Sequence, residues 1–271
     1  MSSVAVVQTD DLYTIRTSKG TALVPETRAL LHEWQLGQSG AQLADRSLEI
    51  DLLGKATARR VKDIVQRVFS PRFLQPAGPP ALYLKNLAES RPADDWFRDL
   101  CLLYSARADR LVRDSVTVLF NRIREEGRLA LSIEAVVSFL REAEEEGKMA
   151  KPWSSETKRK VGRGLLKILT EFGFLNHRTR GPREIRSFRP HPLALAYLAF
   201  DLHFAGITDA GVTGHPDWRI WLLDESAVRD ALDDMSRYGL WIFQAAGSVV
   251  RITWNVTSME EAVDVLAGLD L

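Results

Sequence analysis

Apolar residues recur at helical spacing along most of the first half of the chain. Between positions 58 and 69 they follow the i, i+3, i+4, i+7, i+8 pattern of one helix face: Val61, Ile64, Val65, Val68 and Phe69. Pro25 suits the first turn of an earlier helix that runs to about Leu36, because its missing N–H needs no partner there. Further stripes in Asp94–Tyr104 and Arg110–Glu126 complete the pattern. Residues 25–127 are therefore predicted to form a helical bundle.

Two stretches of the first half interrupt this pattern. Pro71, Pro76, Gly78, Pro79 and Pro80 predict a loop over residues 71–81, because proline removes a helix hydrogen bond. Near the N-terminus, Ser18-Lys19-Gly20 is compatible with the turn of a short hairpin.

The middle of the chain predicts two helices followed by a hairpin. Ser132 is a suitable N-cap for a helix over Ile133–Glu146. Ser154 or Ser155 then caps a second helix that runs to about Phe172. Beyond Gly173, Phe174–Arg178 and Glu184–Phe188 read as two short strands around a Gly-Pro turn. This order of elements is typical of a winged helix-turn-helix.

The last part of the chain repeats that order with a different composition. An apolar helix runs from His191-Pro192 to about Phe204, and Trp218–Leu223 is strand-like. A helix capped by Ser226 precedes two strands, over 240–244 and 248–254. These elements predict a second unit resembling a winged helix.

The predicted fold class is therefore mainly α. An N-terminal helical bundle with helix-turn-helix-like elements occupies residues 1–131. A basic, winged-helix-like segment covers residues 132–190, and a small α+β module, also winged-helix-like, covers residues 191–271.

A formal net charge of zero conceals a strong segregation of charge along the chain. Residues 1–150 carry 21 basic and 21 acidic side chains, whereas residues 151–190 carry 11 basic and 3 acidic ones. Residues 191–271 carry 4 basic and 12 acidic side chains. A local charge of +8 within forty residues is typical of a surface that neutralises phosphates. The alternative is a solvated face that pairs internally with the acidic module.

Basic side chains in three places are candidates for contact with DNA. In the second middle helix, Lys160, Arg163 and Lys167 share one face by their spacing, and Lys158 lies in the first turn. In the hairpin, Arg178, Arg180 and Arg183 are predicted at the tip, with Arg186 on the second strand. In the bundle, the helix after Leu53-Gly54-Lys55 carries a third group, and the junction before it resembles a helix-turn-helix: Arg59, Arg60 and Lys62.

Several kinds of chemistry have no support in the sequence. The single cysteine, Cys101, excludes an internal disulfide and lies in an apolar helical stretch typical of a core. His177 and His191 lack a third metal ligand at a useful spacing. Phosphate-loop, dinucleotide and nucleophile-elbow motifs are missing. We therefore expect a protein that is not an enzyme and needs no cofactor, metal or small-molecule substrate.

The hydropathy of the chain argues against a membrane protein. No apolar run approaches the roughly 20 residues that a membrane-spanning helix needs. The N-terminal residues lack the features of a signal peptide. Cytoplasmic localisation is the expectation.

From about Leu30 to Asn176 the chain resembles the BrxA family of BREX phage-defence systems. The order of several short stretches carries the resemblance: Gly54-Lys55-Ala56-Thr57, Ser70-Pro71-Arg72-Phe73-Leu74, Trp153-Ser154-Ser155-Glu156-Thr157 and Leu169-Thr170-Glu171-Phe172-Gly173-Phe174-Leu175. The tail also fits, with Gln244-Ala245-Ala246-Gly247 and Arg251-Ile252-Thr253-Trp254. The resemblance implies a helical, non-enzymatic, DNA-binding protein that acts in antiphage defence.

Three functions remain open at this point. The first is an accessory protein that contacts mainly the phosphate backbone of double-stranded DNA. The second is a scaffold that assembles other BREX defence proteins, its basic segment being incidental. The third is an RNA-binding or transcription-regulatory factor.

Overall fold

Helices form most of the structure, a computed structural model that describes residues 12–15, 21–55, 57–75, 80–92, 95–247 and 249–269. The hairpin turn predicted at Ser18-Lys19-Gly20 lies outside these residues. The helices of the first half are α1 (Val24–Glu33), α2 (Gly40–Glu49), α3 (Ala58–Ile64), α4 (Ser70–Phe73), α5 (Pro80–Ser90), α6 (Asp95–Ala108), α7 (Arg110–Asp114) and α8 (Asn121–Glu125). The predicted mainly α fold is confirmed.

A π-helical turn joins α3 to α4, so that one helix runs without interruption through Pro71. The π turn covers Val65–Phe69, and the Ser70 N–H donates to the Val65 carbonyl, one residue further back than in an α-helix. The ring of Pro71 would otherwise meet the carbonyl of Arg67, four residues earlier, which lies within this widened turn. The loop predicted over 71–81 is therefore wrong at its start, since the helix ends at Phe73.

Helix α5 is an element that the sequence analysis did not assign. It begins at Pro80, inside the predicted loop, and buries Ala81, Leu84 and Leu87. Their spacing is helical. A second π turn, Ser115–Phe120, joins α7 to α8 within the predicted helix over Arg110–Glu126.

The middle segment contains two long helices and a small sheet. The helices are α9 (Ile133–Glu145) and α10 (Ser155–Glu171), and the strands are β1 (Ala130–Leu131) and β2 (Arg183–Glu184). β1 pairs with β2 antiparallel, Ala130 opposite Glu184, and Leu175 forms an antiparallel bridge with Ile185. The chain around β2 is thus hydrogen-bonded on both sides. The predicted hairpin forms only around this bridge, not as the two strands Phe174–Arg178 and Glu184–Phe188, and β1 was missed.

The C-terminal elements form a small α+β module, as predicted. They are α11 (Pro192–Phe204), α12 (Asp209–Thr213), a 3₁₀ helix (Pro216–Trp221), α13 (Glu225–Ser236), β3 (Trp241–Ala246), β4 (Val249–Trp254) and α14 (Met259–Gly268). β3 and β4 form an antiparallel hairpin. The strand predicted over Trp218–Leu223 is wrong, because His215 caps a 3₁₀ turn that has Pro216 in its first position.

One contiguous apolar core runs through the bundle, the middle segment and the C-terminal module. Helix α14 packs against α5, and α11 packs against α6. The Arg91 guanidinium donates to the carbonyls of Leu266 and Leu269 at the end of α14, at 3.0 and 3.1 Å. The C-terminal module is therefore anchored to the bundle. The division of the chain at residues 131 and 190 stays a prediction.

An ion-pair network fastens the C-terminal module to α6. Arg107 Nη1 lies 2.7 Å from Asp201 Oδ2, and Arg107 Nε lies 2.7 Å from Asp217 Oδ2. One guanidinium thereby links α6, α11 and the 3₁₀ helix. Beside it, the hydroxyls of Tyr104 and Tyr197 are hydrogen-bonded at 2.8 Å in the core.

Replacing Arg107 with Met should destabilise the protein by about 2–4 kcal/mol, because two largely buried carboxylates would lose their cation. Urea denaturation of the full chain measures the change. Arg46→Met is the control, since Arg46 pairs with Glu49 on the exposed surface and should change stability by less than about 0.5 kcal/mol. Equal effects of the two variants would contradict the structural role of Arg107.

Candidate nucleic-acid interface

Helix α10 is built as the sequence predicts. Ser154 is its N-cap, accepting a hydrogen bond from the Thr157 N–H at 3.2 Å. Gly173 follows its last turn with φ +89°, a left-handed conformation that glycine adopts readily. The apolar stripe of α10 is buried: Val161, Leu165, Ile168, Leu169 and Phe172.

A glycine allows α10 to approach α9 closely. A Cβ atom at Gly162 would lie 2.9 Å from Ile133 Cδ1 and 3.5 Å from Val136 Cγ1. Gly162 is buried in this contact. Helix packing therefore explains why a poor helix former stands at this position.

The opposite face of α10 carries exposed cations. Lys160, Arg163 and Lys167 are all exposed, as their spacing predicted. Lys167 Nζ lies 3.5 Å from Glu171 Oε1. Within the described part of the chain, no carboxylate lies within 4.0 Å of Lys160 or Arg163. Arg159, also exposed, is a further cation of this surface that the sequence analysis did not single out.

Lys158, predicted with the exposed cations, lies inside the fold instead. It is 8% exposed, and its ammonium forms an ion pair with Glu144 near the end of α9. This hydrogen bond and that from the Trp153 N–H hold the pKa of Glu144 below its ordinary value. Lys158 precedes Val161 and Leu165 at i, i+3, i+7, and this spacing is the sequence signal for its buried position that the prediction overlooked.

The hairpin after α10 presents arginines to solvent, but not all the predicted ones. Arg178 and Arg180 are exposed just before Gly181, and Arg186 is exposed after β2. Arg183 is partly buried, and its Nη1 donates to the Leu166 carbonyl at 2.7 Å and to Thr170 Oγ1 at 2.6 Å. The prediction of Arg183 at the tip is therefore wrong, because this side chain ties β2 to α10.

The basic helix of the bundle begins near α10. Thr57 caps α3, and Arg59 in its first turn is exposed. Arg60 is half-buried and lines a cleft of about 480 Å³ together with Lys167 of α10. Lys62 is exposed and lies 3.6 Å from Asp45 of α2. Of the predicted cations, Arg60 of the bundle and Lys167 of α10 thus line one cleft.

The acidic module shows its charge to solvent. Three of its carboxylates have partners within the protein. Asp201 and Asp217 form ion pairs with Arg107, and Asp209 accepts a hydrogen bond from the Ile252 N–H. The exposed acidic side chains are Asp224, Glu225, Asp230, Asp233, Asp234, Glu260, Glu261 and Asp264. Among the described residues, no ion pair joins positions 151–190 to positions 191–271. The predicted alternative of internal pairing with the acidic module therefore has no direct contact to support it.

Other candidate chemistry is sparse in the described residues. Cys101 is fully buried, and burial raises the pKa of its thiol well above the ordinary value. No group of three His, Cys, Asp or Glu side chains is placed to hold a metal ion in the ranges that the structure describes. None of the described helices is long and apolar enough to cross a membrane.

Comparison with known proteins identifies a matching family. A family model described as BrxA matches residues 11–201, which include α10, the hairpin and the basic helix of the bundle. The match ends in α11, so the tail stretches that resemble the family lie beyond it. None of the curated proteins compared with the chain matches it.

A solved structure shares the fold. The crystal structure of an uncharacterized protein from Magnetospirillum magneticum is 15% identical, with a TM-score of 0.56. The similarity covers 71% of this chain and 95% of that chain.

Lys158 and Lys160 should respond differently to the same substitution. Lys158→Met leaves Glu144 without its cation and should lower the urea midpoint, whereas Lys160→Met should leave the midpoint nearly unchanged because Lys160 is exposed. Urea denaturation followed by far-ultraviolet circular dichroism measures both. A Lys158→Met variant as stable as Lys160→Met would contradict the placement of Lys158.

Proposed function

The chain belongs to the BrxA family of BREX phage-defence systems, and we propose that within such a system it is a non-enzymatic accessory protein that binds double-stranded DNA. The observation that carries the proposal is the exposed cationic face of α10 beside the arginines of the following hairpin. The proposed contacts are Lys160, Arg163, Lys167, Arg178, Arg180 and Arg186, with Arg59 in the first turn of α3.

The order of elements in the middle segment supports a winged helix-turn-helix. A helix ending at Glu125 is followed by β1, by α9 and α10, by the bridge at Leu175 and by β2. In a helix-turn-helix the second helix enters the major groove. Here that helix is α10, whose exposed face is cationic, and the turn after Leu175 is the wing.

The types of side chain favour contact with phosphates over base recognition. Lysine and arginine neutralise phosphates irrespective of sequence and also bind guanine edges, whereas recognition of adenine edges commonly uses asparagine or glutamine. α10 contains neither Asn nor Gln. We therefore propose binding with little sequence preference, steered by the charge of the surface.

The acidic module favours a second candidate function, assembly with other defence proteins. It presents eight exposed carboxylates, and the exposed Ile242 and Val249 lie on its hairpin. Such a surface fits a basic protein partner and repels DNA. The two functions are compatible, because the cationic and acidic surfaces belong to different elements.

Reversing the charge of α10 should remove most of the affinity for a duplex. We expect Lys160, Arg163 and Lys167 changed together to Glu to weaken binding on the order of 100-fold, because three phosphate contacts become repulsive. Fluorescence anisotropy with a labelled duplex measures the affinity. The control changes Arg46, Arg237 and Arg251 to Glu, three exposed arginines outside the middle segment, with the same change in net charge.

The outcomes separate the candidate functions. Equal losses in the two triple variants would contradict a localised interface. A folded wild-type protein without affinity for duplex would favour the scaffold function. Displacement of the duplex by an equal concentration of RNA or single-stranded DNA would favour the RNA-binding or transcription-regulatory function.

A further inference from the structure

A cleft of about 530 Å³ lies at the N-terminus of α2, against the helix that runs from Ala58 to Phe73. Its walls carry hydroxyl and amide side chains and no charged residue: Gln38, Ser39, Gln66, Ser70 and Gln75. The cleft is separate from the surface formed by α10 and the hairpin.

The first turn of α2, with its N–H groups, borders this cleft. Ser39 caps the helix by accepting from the Gln42 N–H, and Gln42 Oε1 accepts from the Ser39 N–H. The N–H groups of Gly40 and Ala41, which line the cleft, have no hydrogen-bond partner among the described residues. Free N–H groups at a helix N-terminus carry partial positive charge and bind anions.

A buried hydroxyl in the same place points independently to a ligand. Ser70 is 6% exposed, and its Oγ is buried with no hydrogen-bond partner in the described structure. A Cβ atom at position 40 would lie 2.0 Å from Ser70 Oγ, so glycine is what allows this hydroxyl to lie against the first turn of α2. An unpartnered buried hydroxyl is unfavourable, and a bound acceptor oxygen would satisfy it.

The helix that carries Ser70 suggests how the cleft relates to the basic surface. Arg59, Lys62 and Gln66 are exposed at i, i+3 and i+7, a spacing that lies on one helix face and extends about 10 Å along the axis. Gln66 lines the cleft at the end of this row. A phosphodiester chain following the row would meet the N–H groups of α2.

We propose that the cleft at the N-terminus of α2 binds a phosphate oxyanion, through the Gly40 and Ala41 N–H groups and the Ser70 hydroxyl. That this phosphate belongs to a DNA backbone rests on the proposed function, whereas the oxyanion site itself does not. Neutral donors hold the anion, so its affinity should depend less on added salt than the affinity of the lysines and arginines of α10.

Titration of the full chain with inorganic phosphate at constant ionic strength, with chloride as the reference anion, tests the site. The backbone amide resonances of Gly40 and Ala41 should shift and saturate. Ser70→Ala should weaken phosphate about tenfold, as expected for a lost hydrogen bond to a charged group, without lowering the melting temperature. Gln66→Glu, an exposed carboxylate at the rim, should abolish the shift by repulsion.

The same spectra provide a control for unspecific binding of phosphate at helix N-termini. The first-turn amides of α9, Ile133 and Glu134, follow a comparable serine cap, Ser132. Equal shifts there and at α2 would mean an adventitious ion only, and would overturn the proposal. Shifts at Gly40 and Ala41 that remain unchanged in Ser70→Ala, or their complete absence, would overturn it as well.

A duplex titration distinguishes the sources of the phosphate. If DNA supplies it, the duplex should shift the same amides, and Ser70→Ala should weaken the duplex severalfold. If the wild type binds inorganic phosphate but Ser70→Ala leaves duplex affinity unchanged, the site binds a free phosphate instead. If the chain fails to bind any duplex while phosphate still saturates the site, the proposed function fails and the oxyanion site stands.

Discussion

Burial of the apolar stripe of α10 against α9 determines which cations of the middle segment reach solvent. The close approach at Gly162 holds the two helices together, and the Lys158–Glu144 ion pair lies at the edge of the same contact. With one face of α10 fixed inward, Lys160, Arg163 and Lys167 are directed outward. Arg183 adds a second fastening by tying β2 to α10, which positions the exposed arginines of the turn. The cationic surface is thus a consequence of helix packing.

Local signals predicted the two helices of this segment and the basic helix of the bundle. Ser132 and Ser154 cap their helices as expected, because capping depends on residues close in sequence. The helix through Pro71 escaped prediction because a π turn, and not the local propensity, accommodates the proline. The strand β1 was missed because two residues carry too little pattern, and its partner lies about fifty residues away.

The charge of the candidate site could be predicted from the sequence, but the set of residues that form it could be predicted only in part. Spacing alone placed two lysines and one arginine of α10 on one face, and the structure confirms that they are exposed. Arg183 could not be excluded from sequence, because its acceptors lie on α10, more than ten residues earlier. The proximity of Arg60 to Lys167 depends on how the bundle packs on the middle segment, which no local pattern encodes. The position of the Ser70 hydroxyl likewise depends on Gly40, which is distant in sequence and comes close to it only in the fold.

The proposed function depends on the segregation of charge along the chain. The salt dependence of duplex binding tests this function most directly. The affinity of the wild-type chain for a labelled duplex is determined at several salt concentrations between 50 and 200 mM, for two duplexes of unrelated sequence. Contact with several phosphates predicts a linear fall of log affinity with log salt, with a slope of about −0.9 for each phosphate neutralised, and similar values for both duplexes. Affinity that is independent of salt, or no binding by the folded protein, would contradict the account.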